Sequence, residues 1–421
     1  MLTETQLRTP TSYSPRAARP ESTDAWTPLE RFAFRFVFAY FVKFWAESLL
    51  DVGDGPRALL TVLSEPPVRW LANNAFHPDS PAVVGSVRWA LAQQFLGVTI
   101  AAIVATVWSL AASRLEYRRM RGWFFTVLRY WVACVMMVYG GFKIVESQFP
   151  PLSLEQLARP FGSMSPMGLL WAFMGYSSFY ASFTGLGEAA GAFLLFFRRT
   201  TTAGALILIA VLSNVALLNY VFDIPVKYLS SVLLFATIVL AASDAKRLVA
   251  MLLLNQPTAQ RDISFDFGKA WIYKVRRFLK PIIVVAATCG PVTASIFVRQ
   301  SMVRTPSMFG VYDIDRFVRN GVDTPPLATD QARWRQFTFG RGGTVSIRFM
   351  NDSVRLFKAK VDSTARRISL QSNDGADLAQ NYGFEKFADG LVLHGRYGAD
   401  SVDVTLRKLD LERTFRLLRK R

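Results

Sequence analysis

"SNVALLNYVFDIPVKYLSS", residues 213 to 231, places amides, a carboxylate and an ammonium group between two long apolar runs. Pro225 disfavours a helical conformation for the residue before it, so a continuous helix is not expected here. Asn219, Asp223 and Lys227 are spaced by four residues, and a break in the helix would leave backbone groups for the charged side chains to satisfy. The stretch therefore predicts two apolar helices joined by a polar corner.

Apolar runs of this kind recur along the chain. It has 421 residues, of which 51% are hydrophobic and 19% charged, and this is more apolar than a soluble domain needs. Each run approaches the roughly 20 residues that cross a hydrocarbon core as a helix. The runs are 32 to 50, 88 to 112, 123 to 145, 178 to 197, 203 to 222, 226 to 242 and 281 to 298. We expect a polytopic α-helical membrane protein with about seven spans, although the junction of the fifth and sixth could instead be re-entrant.

Basic loops indicate the orientation of these spans, because Lys and Arg are enriched in short cytoplasmic loops. Three connections are rich in them: "SRLEYRRMRG" (113 to 122), "FFRRT" (196 to 200) and "KVRRFLK" (274 to 280). The alternate loops, near 51 to 86 and 146 to 177, are poorer in Lys and Arg. The pattern predicts a multi-pass protein of the bacterial plasma (inner) membrane, with a cytoplasmic N-terminus and an extracytoplasmic region after residue 298.

The net charge of +18 agrees with this placement. Basic loops beside anionic lipid headgroups account for such a charge, so the expected partner is the lipid bilayer and not nucleic acid. Arg31 and Arg35 are expected to reach lipid phosphates from the start of the first span. His77 and His394 lie outside the predicted spans, so a bis-His haem is not expected and no metal site is predicted.

After the last apolar run, the spacing of apolar residues changes from a helical period to an alternation of apolar and polar residues. From Trp334 onward, eight segments alternate apolar and polar residues and are separated by short polar turns. They are "RQFTF", "TVSIRFM", "SVRLFKAKV", "RRISLQ", "YGFEKF", "LVLHGRY", "SVDVTLRKL" and "TFRLLRK". We expect an antiparallel β-meander that avoids open edges by closing into a small barrel or folding into a sandwich.

Glu188 lies inside the fourth apolar run, "SFTGLGEAAGAFLLFFRR" (182 to 199). A carboxylate near the bilayer centre costs about 2.5–3.5 kcal/mol on insertion scales, so it needs a partner. Lys143 near the outer end of the third run fits the depth of Glu188 better than Arg129 does. Gly187 and Gly191 flank the carboxylate, and small residues at this spacing favour close approach of another helix.

Two interpretations of the intramembrane polar residues stay open. In the first, the Lys143–Glu188 pair is structural and fixes helix registry, and residues 213 to 231 form an extracytoplasmic hairpin with charged turn residues. In the second, six residues surround one polar pocket that opens to the outer face and binds a ligand. These residues are Glu188, Lys143, Asn214, Asn219, Asp223 and Lys227. No catalytic residue is identified.

Residues 123 to 245 resemble the DoxX-like family of small four-helix bacterial membrane proteins. The resemblance rests on "RYWVACVMMVYGGFKI", the Pro-containing connection after it, "GLGEAAGAFLLFFRRTTTAGALILIA" and "NVALLNYVFDIPVK", in this order. It implies a helical bundle, and some members are associated with quinone reduction or oxidative-stress assemblies. Carried over by position, Glu188 is the closest match to a functional residue, with Lys143 and Asn214 weaker matches.

The predicted organisation and function follow from these observations. We expect a disordered cytoplasmic tail (1–28), N-terminal membrane segments with an interfacial helix (29–122), a DoxX-like bundle (123–245), a cytoplasmic loop (246–280), a last transmembrane helix (281–298) and an extracytoplasmic β-rich domain (299–421). The expected function is binding of a quinone or another small amphipathic ligand in a redox-associated assembly. The alternative is a transporter or accessory membrane protein whose β domain binds an extracytoplasmic protein partner or envelope lipid.

Overall fold

The computed structural model describes residues 26–50, 57–75, 83–112, 117–258, 270–372 and 380–418. The chain forms two compact units. The first contains the described residues up to 63 and from 95 to 121, and the second contains those from 64 to 94 and from 122 onward. The predicted disordered tail, residues 1–28, lies outside the described residues except for its last three.

Helix α1 (Pro28–Leu50) gives the first unit an aromatic core. Arg35 is only 4% exposed and donates a hydrogen bond to the Tyr117 hydroxyl at 2.8 Å. Its guanidinium also lies over the rings of Tyr117 and Trp108. The prediction that Arg35 reaches lipid phosphates is therefore wrong, because the aromatic side chains of the same unit enclose it.

Most of the remaining helices belong to the second unit. The bounds are α2 (Arg57–Asn74), α3 (Val87–Ala111), α4 (Arg118–Ile144), α5 (Leu154–Ala158), α6 (Pro166–Tyr176), α7 (Ser178–Leu195), α8 (Thr201–Val221), α9 (Lys227–Ala242), α10 (Ala245–Leu252) and α11 (Ala270–Val303). Ser153 begins α5 with a capping box and the Ser165 hydroxyl caps α6, as side-chain oxygens at these positions favour. Helix α11 starts before the predicted last span, and Pro281, the first residue of that span, lies inside the helix.

Four helical segments are long and apolar enough to cross a membrane: Val87–Ala111, Arg118–Ile144, Arg198–Val221 and Lys274–Val303. A fifth is added if α9 and α10, which meet at a bend of 75°, are one broken span. Within the described ranges, α1 and α7 are not among these segments. The prediction of a helical protein with several candidate membrane spans is confirmed, and the number seven stays a prediction.

The described part of the C-terminal region is a closed antiparallel β-barrel. Its strands are β1 (Gly310–Arg319), β2 (Val322–Asp323), β3 (Trp334–Phe339), β4 (Thr344–Phe349), β5 (Val354–Asp362), β6 (Arg367–Ser372), β7 (Gln380–Phe387), β8 (Gly390–Tyr397) and β9 (Asp400–Lys408). Each long strand pairs with its neighbour in sequence, the two-residue β2 pairs only with β1, and β1 also pairs with β9. The prediction of an antiparallel meander is confirmed, and of the two predicted alternatives, barrel and sandwich, the structure has the barrel.

Two of the strand predictions need correction. Strand β1 was not expected, because a bulge between Ile314 and Arg316 interrupts its alternation and hides the period of two. The last predicted strand, "TFRLLRK" (414 to 420), is wrong over its described residues, 414 to 418. The chain there leaves α12 (Leu411–Thr414), which the Asp410 carboxylate caps by accepting from the backbone N–H groups of Glu412 and Arg413, and forms a short 3₁₀ turn.

Apolar and aromatic side chains fill the barrel. Among the described residues, twenty buried side chains form this core. Trp334 is fully buried at its centre, and its ring contacts the rings of four aromatic residues, Phe317, Phe337, Tyr382 and Tyr397. An eight-stranded barrel is just wide enough for side chains to fill, and the interior here is packed core.

The buried Tyr382 predicts loss of barrel stability at alkaline pH. Burial, followed by the neighbouring Tyr397, raises the pKa of the Tyr382 phenol above its usual value of about 10. The unfolded chain releases this proton first, so the stabilisation is complete below about pH 10 and is lost as the pH rises toward the folded pKa. We expect Tyr382→Phe to flatten the fall in melting temperature above about pH 10, measured by circular dichroism. Tyr176→Phe, at an exposed position, is the control, and equal slopes for wild type and Tyr382→Phe would contradict the prediction.

The barrel packs against the segment between α4 and α7. Arg348 of β4 donates a hydrogen bond to the Ala158 carbonyl at the end of α5, at 3.0 Å, and α5 also contacts β1 and β3. Ser346, which alternates with core residues of β4, is only 7% exposed. The barrel is thus held to the helical part of the second unit by contacts beyond the chain connection itself.

Candidate functional site

Helices α4 and α7 touch through their backbones at two glycines. A Cβ on Gly140 would lie 2.8 Å from the Gly185 carbonyl oxygen, and a Cβ on Gly185 would lie 2.7 Å from Lys143 Cβ. Neither position has room for a side chain, and small residues are what permits such close approach of helices. Ser182 of α7 also donates a hydrogen bond to the Ile144 carbonyl at the end of α4, at 3.2 Å.

Three residues after each of these glycines, Lys143 and Glu188 meet. Lys143 Nζ donates to Glu188 Oε1 in an ion pair whose side chains are 7% and 1% exposed. The prediction that Lys143 pairs with Glu188 is confirmed. Arg129, the other candidate, donates instead to the Leu195 carbonyl oxygen at 2.9 Å, where a cation satisfies a carbonyl at the C-terminus of α7.

The ion pair does not use all of its hydrogen-bonding groups. Glu188 Oε2 is buried and has no hydrogen-bond partner among the described residues. An ammonium group has three N–H donors, and Lys143 uses one of them, toward Glu188, within the described part of the chain. Tyr139, one turn before Lys143 on α4, lies within electrostatic range of the carboxylate. The site can therefore accept one hydrogen bond and donate others at the same place.

The polar corner between α8 and α9 is organised differently. Asp223 adopts a left-handed conformation, φ 52°, and Lys227 at the start of α9 is fully buried. Lys227 Nζ donates to Asp223 Oδ1 at 2.7 Å, to the Ile224 carbonyl at 2.9 Å and to the Gly85 carbonyl at 2.8 Å. These bonds use all three N–H donors. The corner therefore fits the structural hairpin interpretation, with no donor left on Lys227 for a ligand.

The two asparagines of the predicted pocket lie apart from the ion pair. Asn214 is exposed, whereas Asn219 is 5% exposed and its Nδ2 has no partner among the described residues. A Cβ on Gly187 would contact Val211 of α8, so Asn219 lies about 12 Å along the helix axis from the level of Glu188. Lys143 and Glu188 thus form one centre, Asp223 and Lys227 form another, and ligand binding at either stays a prediction.

Several residues that shape the site were missing from the sequence prediction. Gly140 and Gly185 make the α4–α7 contact, whereas Gly191 makes room for Leu208 of α8 and Gly187 is in ordinary contact. The signal for Gly140 was present in "YGGFK", since two consecutive glycines near the end of an apolar helix mark a close contact. Gly85 had no signal, because a carbonyl in a distant loop carries no side-chain pattern.

Within the described ranges, no group of three or more His, Cys, Asp or Glu residues is placed to hold a metal ion. The chemistry that the α4–α7 crossing does offer is that of one carboxylate and one ammonium group shielded from water. In such surroundings an unsatisfied polar atom is costly, and a hydrogen bond to it is correspondingly strong.

Comparison with known proteins gives a partial match. No family model and no solved structure matches the chain. Over 123 residues, 29% of this chain, the sequence is 34% identical to the uncharacterized protein YwoB of Bacillus subtilis (strain 168), and the alignment covers 78% of that protein. Identity at this level across most of the relative shows common ancestry for the aligned part. The chain therefore belongs to the family of the uncharacterized protein YwoB.

Proposed function

We propose that the chain is a DoxX-like integral membrane protein that binds a quinone or another small amphipathic ligand beside Glu188, in a redox-associated assembly. The observation that carries this proposal is the buried carboxylate whose Oε2 has no hydrogen-bond partner among the described residues. Buried polar atoms normally have one. A ligand hydroxyl that donates to Oε2 would supply it.

The chemistry of the pair suits both redox states of a quinone. The carbonyl oxygens of a quinone accept hydrogen bonds, and the N–H groups of Lys143 that Glu188 does not use could donate them. The hydroxyl groups of a quinol donate, and Glu188 Oε2 could accept. Tyr139, one turn from Lys143 on α4, would offer an aromatic face for stacking of the ligand ring.

The proposed location is the bacterial plasma (inner) membrane, with the N-terminus in the cytoplasm and the barrel outside. The candidate membrane spans support a place in a membrane, and the distribution of Lys and Arg between alternate loops supports the orientation. Opposite sides for the two ends require an odd number of crossings, as in the five spans that result when α9 and α10 form one broken span. The lipid bilayer is then the immediate partner, and a redox protein of the same membrane is the proposed protein partner.

The test is the quinone content of the purified protein. Full-length wild type, Glu188→Gln and the control Asp223→Asn are purified in mild detergent, and extracted lipids are analysed for quinones by chromatography with redox difference spectra. Both variants remove one carboxylate, but the Asp223 side chain is 61% exposed and belongs to the corner. We expect Glu188→Gln to retain about tenfold less quinone than wild type and Asp223→Asn to retain the wild-type amount.

Two results would overturn the proposal. One is a wild-type protein that carries no quinone or other small amphipathic ligand and co-purifies with no redox protein. The other is equal quinone content in wild type and Glu188→Gln. Size-exclusion profiles and circular dichroism identify a variant that has lost its fold, and titration of a short-chain quinone into wild type then provides the independent measurement.

The surface of the barrel supports the second proposal, a transporter or accessory protein whose β domain binds an extracytoplasmic partner. Since side chains fill the interior, envelope lipid would have to bind outside. Strands β5 and β6 expose Lys358, Lys360 and Arg367, a surface suited to an anionic partner. If charge reversal of these three residues abolishes the cellular phenotype and leaves the quinone content unchanged, the second proposal is favoured.

A further inference from the structure

Helix α10 leaves α9 at a bend of 75°, and one buried carboxylate holds the chain there. Asp244 lies at the bend, and its side chain is only 7% exposed. The Thr202 hydroxyl of α8 donates to Asp244 Oδ2 at 2.9 Å, and Arg247 of α10 donates to the same oxygen at 3.1 Å. The start of α10 is therefore held against the first turn of α8.

The bend lies at the depth where a candidate membrane span ends. Helix α8 belongs to the candidate span Arg198–Val221. Helix α9 runs back beside α8, since the hydroxyls of Tyr220 and Ser231 are hydrogen-bonded at 3.2 Å near the corner and Thr202 bonds Asp244 at the other end. The chain has thus returned along nearly the whole of α8 when α10 begins. A helix that turns by 75° at this point runs across the end of the span, in the plane of a membrane surface.

The side chains of α10 divide into an apolar face and a basic face. Leu248, Val249 and Leu252 recur at the spacing of one helical face, and Lys246 and Arg247 lie on the other side of the helix. No residue of α10 is buried. In and directly after this helix, five large apolar residues are 45% to 77% exposed: Val249, Met251, Leu252, Leu253 and Leu254. An exposed apolar row of this length indicates a surface that binds a protein or a membrane.

Depth, direction and charge favour lipid over protein as the occupant of this surface. Amphipathic helices with Lys and Arg on the polar face lie in the plane of the membrane interface, with the apolar face toward the acyl chains. Residues 245 to 260 contain two basic residues and no Asp or Glu, which suits the anionic headgroups of a membrane. A position at the end of a candidate span brings the apolar face of α10 to those lipids without further movement of the chain.

We propose that α10 is an interfacial anchor, which lies in the surface of the membrane that α8 crosses. Leu248, Val249 and Leu252 face the acyl chains, and Lys246 lies among the lipid headgroups. In this arrangement α9 is the part of the broken span that crosses the membrane, and α10 fixes the depth of its end. The inference rests on the proposed membrane placement of α8 and is independent of quinone binding at Glu188.

The test measures the depth of nitroxide spin labels on the full-length protein in bilayers of phosphatidylcholine and phosphatidylglycerol. Single cysteines are introduced into a Cys134→Ala/Cys289→Ala background by four substitutions: Leu252→Cys, Lys246→Cys, Leu206→Cys and Lys358→Cys. Leu206 lies near the middle of a candidate span and Lys358 on the exposed surface of the barrel, so these two labels mark the bilayer interior and water. Electron paramagnetic resonance compares collisions of each label with oxygen, which concentrates in lipid, and with a water-soluble nickel complex.

We expect the Leu252 label about 5–10 Å inside the boundary between headgroups and acyl chains. Its ratio of oxygen collisions to nickel collisions should then lie between the ratios of the Leu206 and Lys358 labels. The Lys246 label should collide with the nickel complex more often than the Leu252 label does, because it lies on the polar face of the same helix.

Three results for the Leu252 label would contradict the inference. A label as accessible to nickel as the Lys358 label lies in water, one as deep as the Leu206 label lies inside a crossing helix, and one that meets neither reagent is covered by protein. A Leu206 label in water would contradict the membrane placement as well, which separates the two failures. If the cysteine-free background does not fold, photoreactive p-benzoylphenylalanine replaces Leu252 in the otherwise unchanged chain. Crosslinking to phospholipid, detected by mass spectrometry, then supports the inference, and crosslinking to protein alone overturns it.

Discussion

Replacing Lys143 by methionine is expected to lower the free energy of unfolding by about 3–5 kcal/mol. The Lys143 and Glu188 side chains are 7% and 1% exposed, so the substitution leaves a carboxylate in surroundings that cannot solvate it. The lost free energy of unfolding is larger than the free energy of the Lys143–Glu188 interaction, since it includes the cost of burying the Glu188 charge without a partner. Equilibrium unfolding of the purified protein in detergent measures the change.

The double variant Lys143→Met/Glu188→Leu is expected to recover most of this loss, because apolar pairs often replace buried ion pairs at little cost. The Arg316–Asp323 pair of the barrel provides the control, as its side chains are 65% and 58% exposed. Arg316→Met should cost less than about 1 kcal/mol. If Lys143→Met costs no more than Arg316→Met, the Glu188 carboxylate is solvated and the proposed ligand site is lost with it.

Replacing Trp334 by alanine is expected to destabilise the barrel by about 3–5 kcal/mol. Trp334 is fully buried and its ring contacts four other aromatic rings. Removal of the indole leaves a cavity lined by residues of strands that are already closed into a ring, so the surrounding side chains cannot collapse to fill it. Near-ultraviolet circular dichroism during thermal unfolding should report the loss as a lower melting temperature.

The control for this prediction is Trp70→Ala, which removes the same side chain at a position that is 64% exposed. Surface substitutions typically change stability by less than about 0.5 kcal/mol. Equal effects of the two variants would show that Trp334 does not determine the packing of the barrel interior.

The sequence predicted those features that depend on local pattern. The length of the apolar runs located the long helices, and Pro225 located the end of α8, because a proline restricts the residue before it. The alternation of β3 to β9 and the turns between them predicted the meander. Strand β1 was missed and the last strand was wrong for local reasons as well, a bulge after Ile314 and a helix cap at Asp410.

Contacts between residues distant in sequence were predicted only where burial and charge restricted the possible partner to a few residues. A carboxylate in an apolar helix needs a cation at its own depth, and Lys143 was the residue that met this condition for Glu188. The distant partner of Lys227 had no such restriction, because it is the backbone carbonyl of Gly85 and any loop can supply a carbonyl. Asn214 was assigned to the pocket only because it carries an amide. It is exposed because it lies on an outward face of α8, which the sequence alone did not show.

The pairing of β1 with β9 has a consequence for biosynthesis. The first long strand of the barrel pairs with the last, so the ring cannot close until β9 has left the ribosome, whereas contacts between consecutive helices can form as each emerges. A nascent chain that stops early would present two unpaired strand edges, and such edges template aggregation. Under the proposed topology, this species would appear on the far side of the membrane, where envelope proteases rather than cytoplasmic chaperones would meet it.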